Sequence, residues 1–219
     1  DMWISRIPVP VEINASAHAD DDFSKNKSIA ELTDWNIYSP VWAPVSLEDQ
    51  WLKLQDKDLF DYAKVERKIP ASKELKVSFD LKAGQNNKGA LHIEFLDENG
   101  IACSRIELTD DGIFRLKGGS RFANMMKYEA GKIYHVEAVL STVDRNIQVY
   151  VDGKRVGLRM FYAPVAAVER IVFRTGVPRT FPTVDTPADQ TYDLPNAGAQ
   201  DPLAEYGIAN VKTSSTDKD

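Results

Sequence analysis

The stretch LKVSFDLKAGQNNKGALHIEFLDENGIACSRIELTDDGIFRL, from Leu75 to Leu116, alternates apolar and polar residues in successive runs that turn-forming residues separate. A period of two is typical of β-strands with one buried face. The apolar positions of these runs are Leu75, Val77, Phe79 and Leu81, then Leu91, Ile93 and Phe95, then Ile106 and Leu108. Asn99-Gly100 is a hairpin signal, because both residue types tolerate the positive φ of tight turns. We therefore predict an antiparallel β-meander over this stretch.

Further alternating runs lie on both sides of it. They are Asp61–Pro70, Ile133–Leu140, Asn146–Val151, Val168–Phe173 and Gly207–Val211. Asp152-Gly153 predicts a second tight hairpin, and we expect loops over residues 118–127 and 178–202. Many short strands with no long helical period predict an all-β fold, a two-sheet antiparallel jelly-roll sandwich.

Composition and the lengths of the apolar runs argue against several kinds of partner and site. The net charge is −6 and no cluster of lysine and arginine occurs, so we expect no nucleic-acid partner. No apolar run approaches the roughly 20 residues of a membrane-spanning helix, so we expect no membrane span. Cys103 is the single cysteine, which excludes an internal disulfide and a cysteine-based zinc site.

The sequence also resembles a known family in several word-like segments. They are DMWISRIPVPV (Asp1–Val11), WNIYSPVWAPVSLED (Trp35–Asp49), DYAKVERKIP (Asp61–Pro70) and VERIVFRTG (Val168–Gly176). These segments resemble the C-terminal portion of sialidase-like, BNR-repeat β-propeller proteins from polysaccharide-degrading bacteria. In that family a concanavalin A-like sandwich follows the propeller. The resemblance implies an extended N-terminal linker over residues 1–14, a sandwich over 15–213 and a polar tail over 214–219. We expect the apolar residues of the linker to pack back on the sandwich.

The resemblance also implies a function. Catalytic residues in that family generally belong to the propeller, so we expect a noncatalytic accessory module that binds a polysaccharide or oligosaccharide, or docks on the propeller of the same parent protein. The parent would be a periplasmic or extracellular bacterial protein. The alternatives are a glycan-active enzyme (a lyase or glycoside hydrolase), a contributor to a shared active site, and a structural or protein-interaction module.

A catalytic signature is missing from the sequence. The laminarinase-like members of the concanavalin A-like fold carry Glu-x-Asp-x-x-Glu on one strand, and the nearest segment here is HIEFLDE, His92–Glu98. It has histidine at the position of the first acid. A glycoside hydrolase of that type needs two carboxylates at a set separation, so this departure argues against it.

Two similar strands carry the candidate sugar-binding residues. Leu91–Phe95 (LHIEF) and Tyr134–Ala138 (YHVEA) each place a histidine and a glutamate on one side of a strand. If these strands share a sheet, they form one polar face with donors, acceptors and an aromatic ring. The candidate residues are His92, Glu94, Arg105, His135, Glu137 and Tyr150. The alternative is an ordinary solvated face, in which cross-strand charge pairs only support strand pairing.

Aromatic and acidic segments supply further candidates. Trp35, Trp42 and Trp51 lie close together in sequence and are either core residues or sugar platforms.

The acidic loops suggest a structural calcium ion as a cofactor, because calcium prefers oxygen ligands. Its candidate ligands are Asp20, Asp21 and Asp22 in one loop, and Asp185, Asp189 and Asp193 in another; solvated acidic loops are the alternative.

Overall fold

The computed structural model describes residues 17–58, 61–176 and 200–217, and these form two antiparallel β-sheets packed face to face. Sheet A contains β1 (Asp20–Asp21), β3 (Val45–Glu48), β4 (Trp51–Asp58), β6 (Glu74–Ala83), β11 (Ile133–Ser141), β12 (Asn146–Val151), β13 (Lys154–Met160) and β15 (Gln200–Ser215). Sheet B contains β2 (Trp35–Tyr38), β5 (Lys64–Ser72), β7 (Leu91–Leu96), β8 (Ala102–Leu108), β9 (Ile113–Gly118), β10 (Arg121–Lys127) and β14 (Val168–Thr175). The predicted all-β jelly-roll sandwich is confirmed.

The strand orders differ from the order along the chain. Sheet A runs β13-β12-β11-β6-β15-β4-β3, with β1 paired to β15, and sheet B runs β10-β9-β8-β7-β14-β5-β2. A 3₁₀ turn, Ile29–Glu31, is the helical element of the described residues, and no helix among them is long and apolar enough to cross a membrane.

The predicted meander is wrong for its first run. Strand β6 pairs with β11 and β15 in sheet A, whereas β7, β8, β9 and β10 form a meander in sheet B. The segment from Gly84 to Ala90 carries the chain from one sheet to the other. Alternation identifies the buried face of a strand, and because both sheets bury their inner faces in the same core, it does not identify the sheet.

Aromatic rings join the two sheets through the core. Phe79 of sheet A and Phe173 of sheet B meet edge to face, with ring centroids 5.0 Å apart. Phe114 and Tyr134 make a second such contact across the sheets at 5.6 Å. Edge-to-face pairs add about 0.5–1.5 kcal/mol to the effect of burial alone. Trp35 is also buried and packs near Phe173, so the core interpretation holds for this tryptophan.

The hairpin signals are confirmed, but a predicted loop is a strand. Gly100 has φ +82°, and Asp152 and Gly153 have φ 49° and 77°. Residues 121–127, which the sequence predicts to be a loop, form β10 against β9. At this edge β10 is mostly exposed, so its sequence lacks the alternation that marks a half-buried strand.

The last strand is longer than predicted. β15 lies between β6 and β4 and continues to Ser215, into the polar segment at the end of the chain. Val211 is buried in the core between the sheets, and Thr213 is buried where its hydroxyl accepts a hydrogen bond from the backbone of Ala19. The predicted N-terminal linker and most of the predicted 178–202 loop lie outside the described residues.

Candidate functional site

The structure separates the residues that the sequence places on one polar face. His92, Glu94 and Arg105 lie on sheet B, whereas the other candidates, His135, Glu137 and Tyr150, lie on sheet A. Both groups are on outer faces, which point in opposite directions from the core. The prediction of a single shared face is therefore wrong, because a repeated His-x-Glu pattern fixes the side of each strand but not the sheet that the strand joins.

The outer face of sheet B is a dense array of charged side chains. Directly opposed residues of antiparallel strands share a face, and the register aligns two rows across the sheet. The first is Lys117, Arg105, Glu94, Val172 and Glu66, and the second is Arg115, Glu107, His92, Arg174 and Lys64. We call these rows, together with Arg170, the arginine face. Its cationic side chains outnumber its carboxylates by six to three, although the chain as a whole carries −6.

Glutamates hold the arginines in place on this face. Arg115 donates from Nε and Nη2 to the two carboxylate oxygens of Glu107, at 2.9 and 2.8 Å. Arg105 donates from Nε to Glu94 Oε1 at 2.7 Å. The hydrogen bonds that Arg115 donates to Glu107 raise the pKa of Arg115 further above its usual value. Such paired, charge-assisted bonds fix the guanidinium planes before any ligand arrives.

His92 belongs to the second row, but its longer neighbours cover it, so it does not reach the surface. It is 2% exposed, and neither ring nitrogen has a hydrogen-bond partner of normal geometry among the described residues. Glu107 Oε1 lies 3.9 Å from its Nδ1. Burial, with a smaller contribution from the positive charge of Arg105, lowers the pKa of His92 to about 3. The imidazole is therefore neutral at physiological pH, and it supports the face from below.

Aromatic rings border the arginine face. The Lys117 ammonium lies 4.5 Å from the ring centre of Tyr162, and the Arg115 guanidinium lies 4.4 Å from that of Phe122. At the other end the Arg174 guanidinium lies 4.0 Å from the ring centre of Tyr62. Burial raises the pKa of Tyr162 to about 12.

Sequence reasoning missed these aromatic side chains as site residues. Phe122 lies in the segment predicted as a loop, and Tyr162 lies in the connection that follows β13. The alternation of Tyr62 with its neighbours was the one usable signal, since it places Tyr62 on the same side of its segment as Lys64 and Glu66.

The outer face of sheet A is ordinary and solvated around its candidate residues. His135 Nδ1 lies 2.8 Å from Asp80 Oδ1, and Lys76 Nζ lies 2.7 Å from Glu137 Oε2. The His135 and Lys76 side chains are 54% and 49% exposed. Tyr150 donates its hydroxyl to Gln148 Oε1 at 3.1 Å. Exposed pairs of this kind contribute at most about 1 kcal/mol each, and a glycan-binding role for these residues stays a prediction.

The aspartates of the first calcium candidate do not converge. Asp20 pairs with Lys212 at 3.0 Å, Asp21 accepts from Trp35 Nε1 and Arg67 Nε at 3.0 and 2.8 Å, and Asp22 accepts from the backbone of Ser24. Over the described ranges, no group of at least three His, Cys, Asp or Glu side chains is arranged to hold a metal ion. Asp185, Asp189 and Asp193 lie outside those ranges, so a calcium site there stays a prediction.

The chain matches one family of carbohydrate-binding domains over most of its length. The family described as "Sialidase-like, CBM domain" matches residues 35–190, and the chain belongs to this family. A solved structure described as a sialidase is 88% identical over 99% of this chain, with a TM-score of 0.90. This chain spans 20% of the length of that protein. Comparison with curated protein sequences gives no significant match.

More distant solved structures share the fold alone. One, from work on endo-acting O-glycanases of the human gut microbiota that initiate mucin breakdown, is 13% identical, covering 90% of this chain and 98% of that one, with a TM-score of 0.59. Another, the binding domain of botulinum neurotoxin DC in complex with SialylT, is 13% identical, covering 84% of this chain and 43% of that one, with a TM-score of 0.52. The chain is a sialidase-like carbohydrate-binding sandwich.

Proposed function

We propose that this chain is a noncatalytic module that holds an acidic glycan against the arginine face. The observation that carries the proposal is the excess of fixed cations on one face of an acidic protein. Guanidinium groups recognise planar carboxylates and sulfates through paired hydrogen bonds. The 88% identical relative is described as a sialidase, a name that refers to a carboxylated sugar, and this supports the same class of ligand.

The exposed parts of the arginine face define where the glycan lies. The side chains of Arg115, Arg170 and Lys64 are 35%, 30% and 28% exposed, whereas Glu94 and His92 are buried below them. Lys117 contacts aromatic rings and has no carboxylate partner within the described part of the chain. Its charge is therefore available to an anionic ligand. The flanking rings offer apolar surface to the C–H face of a sugar.

The carboxylates of this face are engaged in structural contacts, which supports a noncatalytic role. Glu94 accepts from Arg105, Glu107 accepts from Arg115, and Glu66 contacts both Lys64 and Arg170. Glycoside hydrolysis requires one carboxyl group that donates a proton and a second carboxylate that acts on the sugar or on water. Carboxylates that hold arginines in position are poorly suited to the first role.

The proposal includes a wider context. We place the module in an exported bacterial protein, periplasmic or extracellular, that degrades polysaccharide and carries a β-propeller as its catalytic part. The support is the sequence resemblance to BNR-repeat proteins and the fact that the sialidase relative is about five times as long as this chain.

Affinity electrophoresis of the purified chain tests the proposal. Gels containing alginate, polygalacturonate, chondroitin sulfate or sialylated mucin are compared with gels containing dextran, which is neutral. We expect retardation by at least one acidic polymer, and weaker retardation as salt rises, because exposed charges are screened.

Two lysine variants make the test specific. In Lys117→Met the expected loss of affinity is at least about tenfold, or 1.4 kcal/mol. Lys132→Met is the matched control, because Lys132 also lies over a tyrosine ring, 4.8 Å from that of Tyr134, but away from the arginine face. Equal retardation of Lys117→Met and the unmodified chain, or stronger retardation by dextran than by every acidic polymer, would contradict the proposal.

A further inference from the structure

A separate pocket lies on the outer face of sheet A, where the β3–β4 hairpin approaches β15 and β6. Its volume is about 230 Å³. Its lining includes Glu48, Trp51, Lys53, Lys82, Glu205 and Gly207. None of them belongs to the arginine face, which is on the other side of the sandwich.

Trp51 forms an aromatic wall of this pocket because Gly207 has no side chain. A Cβ atom at Gly207 would lie 3.0 Å from Cε3 of the indole and 3.7 Å from Cδ2 and Cζ3. The indole therefore leans over the backbone of β15, in space that any larger residue would occupy. The side chain of Trp51 is only partly buried, so it still presents ring surface to the pocket.

A two-residue turn joins β3 to β4, the strand that carries Trp51. Asp49 and Gln50 both have positive φ, 51° and 67°, although neither is glycine. A two-residue hairpin of type I′ requires positive φ at both central residues, so these angles identify the turn type. The tight turn places Glu48 directly opposite Trp51 across the hairpin. The tight turn thus places one polar and one aromatic side chain at the same end of the pocket.

The polar groups around the indole carry both signs of charge. Lys53 Nζ lies 2.6 Å from Glu48 Oε2, and this hydrogen bond lowers the pKa of Glu48, which stays ionised. Gln55 Nε2 donates to Glu205 Oε2 at 2.7 Å. Lys82 comes from β6 and has no carboxylate partner among the described residues. Donors and acceptors therefore surround the ring without an excess of positive charge.

We propose that this pocket is a second sugar-binding site, which takes one neutral hexopyranose unit by stacking it on Trp51. An indole offers a flat apolar surface to the C–H face of a pyranose, and mixed-charge side chains bind its hydroxyl groups. The volume is below the about 300–1,000 Å³ of sites for drug-sized ligands, and it suits a single ring. With Asp49 included, the lining holds three carboxylates and two ammonium groups, which gives no preference for an acidic sugar, in contrast to the arginine face.

The two sites then face opposite sides of the sandwich. The sheets of a sandwich are about 10 Å apart, with side chains beyond them on each side, so a short oligosaccharide does not reach both sites. The module would hold two separate glycan chains, or two distant parts of one chain. Two weak sites on one module raise the overall affinity for a dense glycan layer through high effective concentration.

Proton–nitrogen NMR correlation spectra of the labelled whole chain test this second site. D-galactose, D-glucose, D-mannose and N-acetyl-D-glucosamine are added separately, and D-glucuronate and N-acetylneuraminate serve as acidic probes. The signal of the Trp51 indole N–H is assigned from its disappearance in Trp51→Phe. We expect a saturable shift of this signal with at least one neutral sugar, and a smaller shift with the acidic ones.

Variants separate this proposal from that of the arginine face. In Trp51→Ala the response of neighbouring backbone amides to the sugar should weaken by at least about tenfold. In Trp42→Ala the response of these amides should be unchanged, because Trp42, although 38% exposed, does not line this pocket. Lys117→Met should likewise leave the response to the neutral sugar unchanged, whether or not that variant weakens the binding of acidic glycans. Gly207→Ala puts a methyl group under the indole. It should weaken the response to the neutral sugar, while the chain stays folded.

Three outcomes would overturn the proposal. No saturable shift of the Trp51 signal with any of the neutral sugars would overturn it, as would a response to the acidic sugars alone. An unchanged response in Trp51→Ala would show that the sugar binds elsewhere, and this also overturns it.

Discussion

The segments Leu91–Phe95 and Tyr134–Ala138 have the same His-x-Glu pattern and opposite environments. His92 and Glu94 are 2% and 9% exposed under a layer of arginines. The side chains of His135 and Glu137 are 54% and 27% exposed and make pairs with Asp80 and Lys76. Both segments form interior strands, β7 between β8 and β14 and β11 between β6 and β12. The same local sequence therefore gives a buried charged layer in one sheet and a solvated surface in the other.

The neighbouring strands account for this difference. The residues opposite His92 are Glu107 and Arg174, and Arg105 lies opposite Glu94. Arginine side chains are long and cover adjacent positions with their apolar stems. On sheet A the residues of β6 opposite His135 and Glu137 are Asp80 and Ser78, which are too short to cover them. Tyr150 of β12 also lies opposite Glu137, but it donates its hydroxyl to Gln148, and Glu137 stays 27% exposed.

A large effect that distinguishes the two faces is expected for Glu107→Ala. This change leaves the guanidinium of Arg115 without its bidentate partner, in a site where Glu107 is 6% exposed. Removal of one member of a fully buried pair costs about 3–5 kcal/mol. Because the Arg115 side chain is 35% exposed and regains water, we expect a decrease of about 2 kcal/mol in the free energy of unfolding. Urea denaturation measures it, and a decrease below about 0.5 kcal/mol would show that the layer is not effectively buried.

The next expected effect is a dependence of stability on pH that His92 causes. Its pKa is about 3 in the folded protein, against 6.5 for an unperturbed histidine. Between these values the unfolded chain binds one more proton than the folded chain, so stability rises with pH. The contribution of His92 is complete above the unfolded pKa and is lost progressively as the pH falls toward the folded pKa. The slope is about 1.4 kcal/mol per pH unit.

His92→Gln provides the measurement of this slope. Urea denaturation of both proteins between about pH 7 and about pH 4.5 should show a smaller decrease in the free energy of unfolding for the variant. Carboxylates elsewhere titrate in both proteins, so their effect on stability largely cancels in the difference between the two proteins. Parallel pH profiles would mean that the imidazole is hydrated and chargeable in the folded state.

The smallest expected effect is that of Glu137→Ala on sheet A. Glu137 pairs with Lys76 at 2.7 Å, but both side chains are substantially exposed. We expect a decrease of less than about 1 kcal/mol in the free energy of unfolding, and a smaller one at high salt. This variant is the matched control for Glu107→Ala in the same denaturation experiment. A decrease as large as that of Glu107→Ala would remove the distinction between the two faces.

Much of the fold was predictable because its signals are local. The alternation of β6, β7, β8 and β11 follows from strand geometry, since successive side chains point to opposite sides. The hairpins at Asn99-Gly100 and Asp152-Gly153 follow from the backbone freedom of glycine. The candidate site was predictable only in part. His92, Glu94 and Arg105 do lie together on the arginine face, but His135, Glu137 and Tyr150 do not join them.

The sequence by itself determined that the chain is an all-β sandwich, which face of most strands is buried, and which family it resembles. The tertiary structure decided which sheet each strand joins, that His92 is buried and neutral, and that Trp51 lies over Gly207. The physical reason is the range of the interactions. Strand alternation and turn conformation depend on a few consecutive residues, whereas sheet partners and the covering of a side chain depend on residues far apart in the chain, such as Trp51 and Gly207.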